Sequence, residues 1–86
     1  MVDLQREIAL GEISKRSLDE LKSRFDQIRE NIHLKWEQTK AKDIDEREIL
    51  YHKLHALNEL ERSFVNDIDT AKLATAQLEA ENARRN

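Results

Sequence analysis

A chain without a single proline and with one glycine, Gly11, has few ways to turn sharply or break a helix. Apolar residues then recur from Leu18 through Leu21, Phe25, Ile28 and Ile32, at spacings of three and four. That alternation draws an apolar seam along one side of a helix, with the period of a coiled coil. Trp36 prolongs the line with a sideways drift, because strict heptad counting puts Lys35 on the seam. A second seam runs through Leu50, Leu54, Leu57, Phe64, Ile68, Ala71 and Leu78, widened by Leu60 and Val65. Glu61 and Thr75 interrupt it as polar gaps, and beyond Thr70 the segment AKLATAQLEAENA is Ala-rich. Such a segment favours helix and buries little, so a neighbouring helix can come close.

Local signals set the expected boundaries. Ser17 with Glu20 three residues on reads as a capping box, which predicts a helix over about 18–42. Asp43 or Asp45 can cap a second helix over about 44–82, with Lys40 and Lys42 at the negative end of the first. At 1.5 Å per residue these helices span roughly 37 and 58 Å, so folding back leaves the Ala-rich end uncovered. The segment 1–16, carrying Leu4, Ile8, Leu10 and Ile13, is the natural cover, with Gly11 ending it or kinking its entry into the next helix. The expected fold is therefore all-α: an N-terminal helical arm over 1–16 and a long antiparallel helical hairpin over 17–86.

Composition limits function more than it specifies it. Charged residues make up 38% of the 86 residues, interleaved to a net charge of −3, so no global field draws nucleic acid or an anionic membrane. The absence of cysteine removes disulfides, thiolate metal sites and a Cys nucleophile. No apolar run reaches the roughly 18 residues of a membrane span, and the N-terminus lacks a signal peptide's pattern, so an intracellular location is expected. Two helices bury one stripe each, a thin core for an independent fold. Leu34, Ile49 and Leu73 also lie off both seams. Self-association into a four-helix bundle or a larger ring follows as the expectation, with those three residues as exposed partner contacts.

Several polar clusters carry residue types with possible chemistry. Glu48, His52, His55 and Glu59 line one strip at spacings that suit a metal ion, but the strip faces away from the Leu54 seam and reads as a solvated face. Glu30 and His33 form one Glu-x-x-His pair, where di-iron bundles need inward-facing copies. Lys35, Trp36, Lys40 and Lys42 form a set that can stack on and neutralise a nucleic-acid strand. Against this, Asp43, Asp45, Glu46 and Glu48 follow directly and repel phosphate, and Trp36 suits closure of the core at the hairpin end. Ser14, Ser17, Ser23 and Ser63 have no His and carboxylate that helical spacing would assemble, and one glycine cannot build a phosphate loop. No enzyme, cofactor or metal is expected.

The run W36-E-Q-T-K-A-K-D-I-D-E-R-E-I-L-Y51, with L54-H-A-L-N-E-L60 and K72-L-A-T-A-Q-L-E79, resembles short helical-hairpin proteins of tailed bacteriophages and prophages, over about residues 18–80. Ala71 stands where that pattern has a glycine, so the helix is expected to run on there. The resemblance implies a viral origin and a role in the virion or in DNA packaging, and it brings no catalytic residues. The reading that results is a non-enzymatic assembly or protein-interaction module, partnered by itself and by other protein. The alternative is a nucleic-acid-associated packaging or regulatory factor.

Overall fold

A computed structural model describes residues 3–85. Met1, Val2 and Asn86, the outermost residues of the two expected segments, lie outside the described residues. Two α-helices, α1 (Leu4–Gln38) and α2 (Ile44–Arg85), fold back on each other as an antiparallel hairpin of 67 × 24 × 15 Å.

The first correction concerns the N-terminal arm. α1 passes through Gly11 and Ser17 without a break, and Asp3 caps it, accepting from the Arg6 N–H at 3.1 Å. The Ser17–Glu20 capping signal is overridden because the packing stripe continues upstream of it. Leu4, Gly11, Leu18, Phe25 and Ile32 recur every seven residues, each buried or half-buried. Ending the helix at Ser17 would forfeit the contacts of the first two members of that line and require a second, costly helix nucleation.

Gly11 neither ends nor kinks the helix. A Cβ there would overlap the Ala71 Cβ and lie 3.1 Å from the Asp67 carbonyl oxygen. Its role is close approach, and the helix whose proximity the Ala-rich segment permits is the chain's own α1. Gly11 opposite Ala71 also sets the register, which places Leu18 level with Phe64, Phe25 with Leu57 and Ile32 with Leu50.

The two halves of the hairpin pack differently. Towards the turn, Phe25, Ile32, Leu50 and Leu57 form the buried core, with Leu18, Leu54 and Phe64 packed against it. The Phe25 and Phe64 rings meet at 6.3 Å between centroids, tilted by 32°. Towards the open end the contact is made by small residues, and Ala74, at 1% exposure, is the most buried of the core residues. Thr75, expected on the seam, is exposed, since Ala74 takes the inward position.

The turn is the second correction. α1 ends at Gln38, four residues before the expected end, so Lys40 and Lys42 lie in the turn and Lys35 is the basic residue of the last helical turn. Thr39 leaves the helix in extended conformation (φ −77°, ψ 153°), and both its N–H and its hydroxyl bond to the Trp36 carbonyl, at 3.0 and 2.6 Å. Asp43 then closes a turn with Lys40: its N–H donates to the Lys40 carbonyl at 2.9 Å, and its carboxylate accepts the Lys40 N–H at 2.8 Å. No positive φ is required, so no glycine is needed. Asp43 occupies the residue before α2, and its carbonyl accepts from the Arg47 N–H at 3.0 Å. Asp45 lies within the first turn of α2, which continues three residues past its expected end at 82.

The close approach is open to test. Gly11→Ala should destabilise the hairpin by about 1–3 kcal/mol in thermal melts, despite the ~1 kcal/mol that alanine gains over glycine in a helix. Ala71→Gly in the same chain should restore part of that loss. A raised melting temperature for Gly11→Ala would show that the helices are not in contact there.

Candidate interaction surface

Three side-chain arrangements tie α1 to α2 beyond the apolar core. Arg29 is at the centre of the first. It pairs with Glu61 across the hairpin, donates to the Asn58 side-chain oxygen at 3.2 and 3.3 Å, and holds Asp26 at 3.0 Å on its own helix. Glu61, a polar gap in the sequence, thus receives a cation from the facing helix. The Arg29 side chain is still 25% exposed, so solvent screens the pair. Near the open end, Ser14 is only 6% exposed and donates its hydroxyl to Asp67 at 2.8 Å. No buried side-chain polar atom among the described residues lacks a partner. At the turn, Arg47 lies 5.0 Å over the Trp36 ring and donates to the Thr39 hydroxyl at 2.8 Å.

These ties decide several sequence-level candidates. Trp36 does not close the core as expected: it stays 40% exposed, because Ile32 and Leu50 already fill the last apolar layer, and Arg47 covers its face. Nor are Lys35 and Trp36 on one side of the molecule. Two grooves share the floor residues Ile32 and Leu50, and Lys35 walls one with Ile28 and Leu60 while Trp36 walls the other with His33 and Tyr51. The structure therefore does not assemble a continuous stacking and phosphate-binding platform from these residues.

The His strip separates into two local pairs. His52 meets Glu48 at 3.7 Å and His55 meets Glu59 at 3.2 Å, and Tyr51 stacks on His55. All four side chains are well exposed, and among the described residues no group of three or more ligand-type side chains is placed to hold a metal ion. Ser14 gains a carboxylate partner that sequence reasoning missed, but the three histidines lie in the turn-proximal half, far along the chain register from it.

The expected interaction residues divide in two. Phe25, Ile32, Leu50 and Leu57 are buried, and Leu54, Phe64 and Ile68 are half-buried. Leu21 and Ile28 are about as exposed as Trp36, because two helices cannot cover both edges of a seam. Leu34, Ile49 and Leu73 are exposed, Leu73 most of all at 73%.

Part of the exposed apolar surface is gathered on one flank. In an antiparallel pair the residues three and six places after each core-line residue share one flank of the hairpin. That flank holds Leu10, Leu21 and Ile28 from α1 and Ile49, Ala56 and Leu60 from α2, with Ile13, Leu34 and Leu73 along its outer rim. Its turn-proximal half holds the groove of about 490 Å³ walled by Ile28, Asn31, Lys35, Lys53, Ala56 and Leu60. The opposite flank carries Arg29, Glu61 and Asn58, with Trp36, Ile44, Tyr51 and Val65. No family model, curated protein or solved structure matches the chain. Among the described residues no helix is long and apolar enough to cross a membrane.

A double-mutant cycle on Arg29→Ala and Glu61→Ala should give a coupling of about 0.5–1 kcal/mol in chemical denaturation, the range of a partly exposed pair. Strict additivity would remove the pair from the account of helix registration.

Proposed function

We propose that this chain is a non-enzymatic structural or assembly module that acts through helix–helix association, principally with itself. The observation that carries this reading is the apolar flank. Leu10, Leu21, Ile28, Ile49 and Leu60 share one side of the hairpin, outside its own core. Apolar surface gathered in one place and bordered by charge marks an interaction site, whereas single exposed leucines need no explanation. The thin core supports the same conclusion: its large members are Phe25, Ile32, Leu50 and Leu57. A further pair of helices on the flank would complete a four-helix bundle. The resemblance to short phage hairpins supplies a setting for this activity, an assembly component inside the host cell or in the virion.

Sedimentation over a range of concentrations tests the reading. The unaltered protein should exceed monomer mass at micromolar concentration, and Ile28→Lys with Leu60→Lys should return it to monomer with its helicity kept. Leu57→Asp should instead unfold the chain, since burying that carboxylate in place of a core leucine costs about 3–5 kcal/mol. A helical monomer at high micromolar concentration would refute self-association.

A further inference from the structure

We propose that the occupant of the apolar flank is a second copy of this chain lying antiparallel, with the two turns at opposite ends of the assembly. This rests on the self-association reading above and adds its orientation and register. The argument is charge placement along the flank. Lys35 and Lys53 wall the apolar groove near the turn. The heptad line through Lys35 reaches Glu7 four heptads earlier, and the line through Lys53 reaches Glu81 four heptads later. On these same flank lines the turn half carries Arg24, Lys35 and Lys53 against the acid Glu46. The open half carries Asp3, Glu7, Asp67 and Glu81 against the base Arg84.

Stacking two copies with their turns together sets lysine on lysine and glutamate on glutamate. Turning one copy end for end sets Lys35 and Lys53 over Glu7 and Glu81 at both ends of the dimer. Opposite charge thus selects orientation, while the exposed Leu10, Leu21, Ile28 and Leu60 of the flank supply apolar contact on both sides of the axis. A two-fold axis makes this surface self-complementary. In the register that sets Leu18 level with Phe64, Lys35 and Glu81 are equidistant from that level on its two sides, and so are Lys53 and Glu7. The axis therefore crosses the flank between Ser14 and Leu21, beside Ser17. Asn31, on the same heptad line as Ser17, is two heptads from the axis, roughly 21 Å at 1.5 Å per residue.

The chain has no cysteine, so each introduced thiol is the sole one. Ser17→Cys should give a covalent dimer on mild oxidation or with a short bis-maleimide, since its symmetry mate lies close by. Asn31→Cys should not, because its mate lies at the far end. Lys35→Glu with Lys53→Glu should weaken the dimer by roughly tenfold, an effect that fades in about 1 M salt. Equal cross-linking of Asn31→Cys would overturn the antiparallel orientation while leaving self-association intact. A dimer in which neither thiol links would show that the second copy sits elsewhere. A monomeric unaltered protein would instead remove the self-association reading on which this one stands.

Discussion

The contact on which the hairpin depends is the close approach of α1 and α2 at Gly11 and Ala71. Where a side chain on Gly11 would collide with Ala71, the two backbones are fixed in distance and in register together. From that point the heptad lines bring Phe25 level with Leu57 and Ile32 level with Leu50, forming the buried large-residue layers of the core. The polar ties follow the same register: Ser14 reaches Asp67 beside the close approach, and Arg29 reaches Glu61 midway along the pair. The turn then only joins two helices whose alignment is already set, and Thr39 and Asp43 accomplish it in ordinary backbone conformations.

A two-helix pair has an inherent geometric shortfall. Each helix offers an apolar stripe wider than one partner can cover, so one edge of each stripe stays outside. Here Leu21 and Ile28 of α1 and Leu60 of α2 stay uncovered on one flank, because antiparallel helices set corresponding heptad positions side by side. The opposite flank holds the tie of Arg29, Asn58 and Glu61 beside exposed Trp36, Tyr51 and Val65. The two flanks therefore differ in kind: one carries aliphatic side chains, the other a polar tie beside aromatic ones.

Much of this was legible in the residues and some was not. The second helix, its start next to Asp43 and the buried residues Phe25, Ile32, Leu50 and Leu57 follow from periodicity and capping alone. The continuity of α1 does not. Ser17 and Glu20 carry a valid local start signal, and Gly11 a valid local stop, and both are overruled by contacts with residues some fifty to sixty positions away in α2. Trp36 was misplaced for a related reason: its depth is set by how far Ile32 and Leu50 already fill the end of the core, and by Arg47 arriving from the other helix.

The sequence by itself determined helix, hairpin and the start of the second helix, because three-four spacing, the lack of proline and an Asp ahead of a leucine-rich run act within a few turns of chain. Only the tertiary structure decided where the first helix begins, why its glycine is there, which partner answers Glu61 and which flank keeps its apolar edge. Those features depend on the relative register of two helices. Register is set where Gly11 lets the two backbones approach at Ala71, and no local pattern in either helix contains it.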